Sequence, residues 1–355
     1  MQKKIRYTLL PISFLYEGII SWRNKLFDKK IFRSATFDIP LICIGNLSLG
    51  GTGKTPMVEY VVKMLRGKYN VATLSRGYKR KTRGFFIANE NSETTDIGDE
   101  PMQLYKKFPG ITVAVDEDRV MGIPKILNDK PKTEIIILDD AFQHRQVSAG
   151  LNILLTECDR LYTDDYLLPA GNLRDTKRSS RRADIIIVTK CKSNLTEDEK
   201  KGIIKKLKPL QKQKIYFTTI KYESPHRLFT KEKYTIQPGT LVFLICGIAN
   251  PQKIEEEIKS KGAQHKMLRF NDHHIYNITD VKKIKEEFSK IDTPAKIILT
   301  TEKDASRLLK FQNDLKSLPL FVLPMYHEFL FEESLEFEKS IFEFVESFDS
   351  VKKVY

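Results

Sequence analysis

Cysteine is scarce in this 355-residue chain, with four in all: Cys43, Cys158, Cys191 and Cys246. No two are close enough in sequence to form a metal knuckle or a redox pair, so reduced thiols are expected. Long apolar runs are also missing. No stretch approaches the roughly 20 apolar residues that span a bilayer. The N-terminal apolar run from Leu9 to Ile20 is broken by Pro11 and Glu17, and no small-residue cleavage site follows it. A secretory leader is therefore not expected. Repeats and low-complexity tracts are absent. A hydrophobic content of 41% and a charged content of 30% place the chain among globular proteins. Positive charge is what it has in excess: 60 Lys and Arg against 46 Asp and Glu, a net +14. Such a balance calls for an anionic partner. No zinc-finger or RNP-type pattern accompanies the lysines, which are scattered through helix-like stretches such as 200–212. Nucleic acid therefore ranks behind anionic lipid headgroups and phosphorylated substrates.

The first 35 residues read as one or two amphipathic helices. Ile5, Leu9, Leu10, Ile12, Phe14, Leu15, Ile19, Ile20, Trp22 and Leu26 give apolar surface, and Lys3, Lys4, Arg6, Arg23 and Lys25 flank it. The pattern suits a helix in a membrane interface, and equally one packed on its own domain. From residue 36 onward, short Val/Ile/Leu runs at 39–44, 71–74, 111–115, 135–138, 153–155 and 185–188 alternate with helix-like stretches at 56–66, 100–107 and 119–128. Such alternation predicts an α/β fold, a mostly parallel sheet covered by helices on both faces. After a polar, Lys-rich region around 220–238 the alternation resumes, with strands expected at 241–246, 267–270, 297–299 and 320–323. Three units are expected: an N-terminal amphipathic helix at 1–35, a phosphate-loop domain at 36–235 and a smaller α/β domain at 236–355.

The apolar run at 41–44 leads into Gly45-Asn46-Leu47-Ser48-Leu49-Gly50-Gly51-Thr52-Gly53-Lys54-Thr55, and a helical pattern follows from Pro56. This is the strand–loop–helix setting of a Walker A motif. Gly50, Gly51 and Gly53 allow the backbone to turn its N–H groups inward, so that the stretch from Ser48 to Thr55 cradles phosphate oxygens. Lys54 is placed to reach the β- and γ-phosphates of ATP, and Thr55 to put its hydroxyl on Mg²⁺. Pro56 suits the first turn of a helix whose N-terminus faces an anion. Ser48 stands where the usual pattern has its first glycine.

The aliphatic run at 135–138 ends in Asp139-Asp140, the form of a Walker B strand. Carboxylates at the carboxyl end of a parallel strand lie in the crevice where ligands bind, and one of this pair can hold Mg²⁺ or its water. His144 follows closely. Taken singly, a loop histidine is more often a structural hydrogen-bonder than a catalyst.

Taken together, the ordered signatures resemble the tetraacyldisaccharide 4′-kinases. These signatures are Gly45-Asn46 before the phosphate loop, Ser75-Arg76-Gly77-Tyr78, Gly98-Asp99-Glu100-Pro101, Leu138-Asp139-Asp140-Ala141-Phe142-Gln143-His144, Pro169-Ala170-Gly171-Asn172-Leu173-Arg174, Asp272-His273-His274 and Thr301-Glu302-Lys303-Asp304-Ala305. The resemblance implies transfer of the γ-phosphate of ATP to the 4′-hydroxyl of a tetraacylated glucosamine disaccharide 1-phosphate, a lipid A precursor. It implies a peripheral protein on the cytoplasmic face of the inner membrane. It assigns Asp99 as base for the sugar hydroxyl and His273 as its partner from the second domain, with adjacent His274 the other candidate. A carboxylate–imidazole pair can share the proton released. Asp139, Asp140 and His144 match metal- and nucleotide-site positions, and Arg174 matches a basic residue beside the phosphates. Where the family commonly carries Arg-Glu-Pro, this chain has Arg174-Asp175-Thr176.

Each signature also has a plainer reading. Gly98-Asp99-Glu100-Pro101 reads alone as a helix N-terminus, and Thr301-Glu302-Lys303-Asp304 as a helix cap. Arg76, Lys79, Arg80, Lys81 and Arg83 form either a solvated loop or a holder of substrate phosphate. A P-loop GTPase or ATPase switch is the alternative function. Thr189-Lys190-Cys191-Lys192 has the outline of a guanine-reading motif, but Lys192 stands where an Asp must accept from the base.

Overall fold

A computed structural model describes residues 8–248, 250–272 and 274–352. Nine strands form the main sheet: β1 (Leu41–Asn46), β2 (Val71–Ser75), β3 (Phe86–Ile87), β4 (Thr112–Val115), β5 (Ile135–Asp139), β6 (Leu151–Glu157), β7 (Ile185–Thr189), β8 (Lys214–Tyr222) and, from much later in the chain, β14 (Met325–Phe329). Their spatial order is β14-β8-β7-β6-β1-β5-β2-β4-β3. The seven inner strands are parallel and the two edges antiparallel. β1 is central and buried along its whole length. Its side chains alternate: Ile42 and Ile44 pack with Met57, Val58, Val61 and Leu65 of the helix Lys54–Leu65, while Leu41 and Cys43 face Ile123 and Ile126 of the helix Arg119–Asp129. Burial on both faces explains the unbroken apolar runs in the sequence.

A second sheet, ordered β11-β10-β12-β13-β9, comprises β9 (His226–Arg227), β10 (Leu241–Cys246), β11 (Gln264–Arg269), β12 (Lys296–Thr301) and β13 (Leu320–Leu323). Its strands are parallel except β9. The expected strands at 241–246, 267–270, 297–299 and 320–323 all lie here.

The expected unit 236–355 is corrected at both ends. The second sheet gains β9, and at Pro324 the chain leaves it for the first. β14 pairs with β8, and the helix Ser334–Lys352 sends Phe337, Ile341 and Val345 into the core beside the helix Lys54–Leu65. Burying three such side chains contributes about 2 kcal/mol each. β14 carries His327 at an inward position instead of an aliphatic, so its hydrophobic alternation is broken.

The N-terminal helix spans Leu10–Asp28. Its inward face carries the polar residues Ser13 and Asn24 beside Phe27. Ser13 Oγ donates to the Leu167 carbonyl at 3.0 Å and accepts from Ala170 N–H at 3.0 Å; Asn24 donates to Asp175 Oδ1 at 2.9 Å. Ile12, Phe14, Leu15, Ile19 and Trp22 are exposed, each by more than half. The helix therefore turns its apolar stripe outward, the reverse of an ordinary surface helix. Lys3, Lys4, Ile5 and Arg6 lie outside the described residues. No helix among the described residues is long and apolar enough to cross a membrane.

Candidate active site

The register between β1 and β5 pairs Ile44 with Asp139, and Asp140 N–H donates to the Ile44 carbonyl at 2.9 Å. The phosphate loop and the acidic pair thus leave the sheet side by side. Gly45 has the Phe142 Cβ so near that a Cβ of its own would sit 2.6 Å from it. Gly53 has φ +83°, and a Cβ there would meet the His327 ring at 3.0 Å. Neither position tolerates a side chain.

Asn46, fully buried at the end of β1, organises the loop. Its Nδ2 donates to Thr52 Oγ1 at 2.9 Å, and its Oδ1 accepts from Lys54 Nζ at 3.2 Å and Arg174 Nη2 at 2.6 Å. Ser48 and Leu49 are braced by the segment before Arg174: Ser48 bridges to Leu173, Leu49 N–H donates to the Asn172 carbonyl at 2.7 Å, and Arg174 N–H donates to the Leu47 carbonyl at 2.8 Å. From β7, the Thr189 hydroxyl donates to the Thr52 carbonyl at 2.8 Å. The segment with the guanine-motif outline is thus a strut under the phosphate loop. Gly50 and Gly51 form the open rim, and Thr55 lies in the first turn of the helix Lys54–Leu65.

The two carboxylates differ. Asp140 sits at φ +50° and takes both ends of the Arg174 guanidinium, with Lys54 Nζ 3.6 Å away. Burial alone would raise its pKa, but the Arg174 hydrogen bonds and the Lys54 charge hold it below the usual carboxylate range. Asp139 is buried at the strand end, and its Oδ1 has no hydrogen-bond partner among the described residues. Burial, then the neighbouring Asp140 charge, pushes it up to about 7. A buried carboxylate oxygen left unpaired beside a phosphate loop suits a hard cation, so the donor set fits Mg²⁺. No group of three or more His, Cys, Asp or Glu is gathered as a metal cage among the described residues.

Asp99 opens the helix Asp99–Lys107 from Gly98 at φ +95°. A Cβ on Gly98 would lie 3.1 Å from the Tyr78 carbonyl, so the Ser75–Tyr78 and Gly98–Pro101 signatures pack backbone against backbone. The Asp99 carboxylate accepts from Arg307 Nε at 2.8 Å and Nη2 at 2.5 Å, an ion pair reaching from the second lobe. His273 lies outside the described residues. His274 binds Asp280 Oδ2 through Nε2 at 2.9 Å and stacks on Phe270 at 4.7 Å, so its ring is committed to the cap of the helix Ile278–Ser289. His144 is half-buried, with Nε2 lacking a hydrogen-bond partner among the described residues; burial and then the Arg119 charge lower its pKa.

Other positions take structural roles. Arg80 is buried against Glu117 at 2.7 Å, which removes it from the candidate phosphate-holding loop. Asp175 is a packing hub: it accepts from Asn24, Ser179 and its neighbour Thr176 N–H, and pairs with Arg182 at 3.1 Å. The shorter side chain at this position thus ties the N-terminal helix to the site's frame.

Two participants escaped sequence reading. Arg119 is buried with its charge near Asp139 and Asp140; its signal was a lone arginine among the charged residues after β4. His327 is fully enclosed, its Nε2 donating to the Gly53 carbonyl at 2.9 Å and its Nδ1 accepting from the Thr218 hydroxyl at 2.9 Å. Burial pushes it down to about 4, so it stands neutral.

A phosphate loop on a parallel sheet, a lysine and acidic pair at its mouth and a second α/β lobe carrying a cation to an acidic helix N-terminus define a P-loop phosphotransferase. Residues 5–345 match the family of tetraacyldisaccharide-1-P 4′-kinases. The Tetraacyldisaccharide 4′-kinase of Bacteroides thetaiotaomicron is 43% identical over 96% of this chain and 94% of its own length. That of Flavobacterium psychrophilum is 44% identical over 97% and 98%. The structure of LpxK from Aquifex aeolicus in complex with ATP superposes with a TM-score of 0.74 at 31% identity, covering 96% of this chain and 99% of that one. The chain belongs to the tetraacyldisaccharide-1-P 4′-kinase family and is an enzyme.

Proposed function

We propose that this kinase transfers the γ-phosphate of ATP to the 4′-hydroxyl of tetraacyldisaccharide 1-phosphate, giving lipid IVA, at the cytoplasmic face of the inner membrane. The carrying observation is the meeting of the phosphate loop, Lys54, Arg174 and the Asp139 oxygen left unpaired among the described residues, at the neighbouring carboxyl ends of β1 and β5. Lys54 and the loop amides hold the β- and γ-phosphates. Asp139 and the Thr55 hydroxyl would hold Mg²⁺, which would supply positive charge to offset that of the phosphates. Arg174, fixed by Asp140 and Asn46, steadies negative charge on the phosphoryl group in transit. Asp99 accepts the proton of the attacking hydroxyl as its oxygen bonds to the γ-phosphorus and the bond to the β-phosphate oxygen breaks, ADP leaving. His274 is occupied by Asp280, which favours His273 as the imidazole that shares this proton. His144 remains a nucleotide-side candidate.

The outward apolar stripe of the helix Leu10–Asp28 supports peripheral membrane contact, and the net charge of +14 supports an anionic surface. Purified protein given Mg-ATP and tetraacyldisaccharide 1-phosphate should place phosphate on the distal sugar. ATP consumed with no phosphorylated lipid would overturn the assignment.

A further inference from the structure

The residue that fixes the direction of Asp99 is not in its own lobe. Arg307 lies in the helix Glu302–Leu308, which springs from β12 of the second sheet, and its side chain is almost wholly enclosed. One edge of its guanidinium, Nε and Nη2, meets both oxygens of Asp99. Its remaining nitrogen, Nη1, donates to Asp304 Oδ1 at 3.2 Å. Asp304 is itself immobilised: fully buried, it accepts from Gly247 N–H at 2.9 Å and from the Thr301 hydroxyl at 2.9 Å. The chain of contacts therefore runs from the rigid end of β12 through Asp304 and Arg307 to Asp99. Two flanking pairs seat the same helices on each other: Lys303 with Glu100 at 2.9 Å, and Lys107 bridging Glu302 at 2.6 Å and Glu59 of the phosphate-loop helix at 2.7 Å.

We propose that Arg307 is a positioning residue for phosphoryl transfer: its two-point grip sets the plane of the Asp99 carboxylate, so the acceptor hydroxyl meets an aligned base only when the lobes are docked. This rests on the reading of Asp99 as base. The planar fork is what the task needs. A guanidinium held at its far nitrogen presents two parallel N–H groups at fixed spacing, whereas an ammonium makes a single freely rotating contact. Catalysis of this kind rests chiefly on placing the nucleophile in line and stabilising charge, so a carboxylate held in one orientation is worth more than one that rotates.

The test compares Arg307→Lys, Arg307→Ala and Asp99→Ala in the full-length enzyme, measuring kcat, the KM for ATP and thermal melting. Arg307→Ala is expected to lower kcat about 100-fold, the scale of misplacing a reacting group by about 1 Å, with the KM for ATP within about threefold. Arg307→Lys keeps the charge without the fork and should lose about 10-fold in kcat. Ethylguanidinium added to Arg307→Ala should restore part of the lost turnover and do nothing for Asp99→Ala. Wild-type kcat in Arg307→Lys would overturn the inference. So would kcat and ATP affinity falling together in both arginine variants without ethylguanidinium rescue, which would mark a purely structural residue. Normal turnover in Asp99→Ala would instead sink the base assignment. A crippled Asp99→Ala beside fully active Arg307 variants would sink this inference alone.

Discussion

His327 offers a measurable link between the returning strand and the phosphate loop. The ring is enclosed, hydrogen-bonded on both nitrogens and pushed down to about 4 by burial, against an ordinary value of 6.5. A histidine that stays neutral in the fold makes the folded state reluctant to bind a proton that the unfolded chain takes readily. Its contribution to stability is thus fully present above the unfolded value near 6.5. It declines as pH falls toward 4, below which both states are protonated. Between pH 7 and pH 5 the decline amounts to about 2 kcal/mol. His327→Phe keeps an aromatic ring, slightly larger than imidazole, and abolishes the titration. Urea unfolding at both pH values isolates this residue: wild type should lose about 2 kcal/mol more than the variant on acidification. The variant leaves the Gly53 carbonyl and Thr218 hydroxyl unpaired, which costs about 1–3 kcal/mol at either pH. It should also raise the KM for ATP, because Gly53 directly precedes Lys54. Parallel pH dependence in the two proteins would refute the reasoning, since His327 would then carry no excess proton linkage.

Three further outcomes follow from the site and its frame. Asp139→Asn keeps the shape but loses the anion, so turnover should fall about 100-fold or more; calorimetry should find ATP binding without Mg²⁺ unchanged, and retained Mg²⁺-dependent activity would contradict the ligand assignment. Leu15→Glu together with Trp22→Glu removes the burial of two large side chains, each worth about 2 kcal/mol. Sedimentation with anionic vesicles should detect at least a tenfold loss of binding, and undiminished binding would exclude the stripe as a membrane face. Asp175→Ala strands Arg182 and frees Asn24 and Ser179, for a loss of about 3 kcal/mol; a change below about 1 kcal/mol in urea unfolding would show the hub to be dispensable.

What could be read from the sequence was what local chemistry encodes. The run from Leu41 to Thr55 announced strand, loop and helix because glycine, lysine and threonine stand in consecutive positions with little freedom to mean anything else. Asp139 and Asp140 were legible because they end a strand buried on both faces. The partners that orient these groups were not. Arg307 lies 208 residues from Asp99, and His327 lies 274 residues from Gly53. An arginine in a helix's last turn and a histidine in a short strand have ordinary uses, and only the second lobe's departure and the chain's return bring them to the site. The domain boundary failed for the same reason: β14 and the helix after it belong to a core begun almost 300 residues earlier.

The N-terminal helix shows a subtler limit. Its apolar stripe was visible, but a stripe alone does not say which way it points. The opposite face decides: Ser13 and Asn24 are about three turns apart, and each donates to a buried polar group of the protein. An ordinary core could not receive them, so the apolar side must face outward. The receiving group for Asn24 is Asp175, the neighbour of Arg174. One residue fixes the charges at the phosphate loop while the next holds the helix that presents Leu15 and Trp22. Two adjacent residues in the segment 169–175 thus tie the phosphate loop rigidly to the helix that carries the outward apolar stripe.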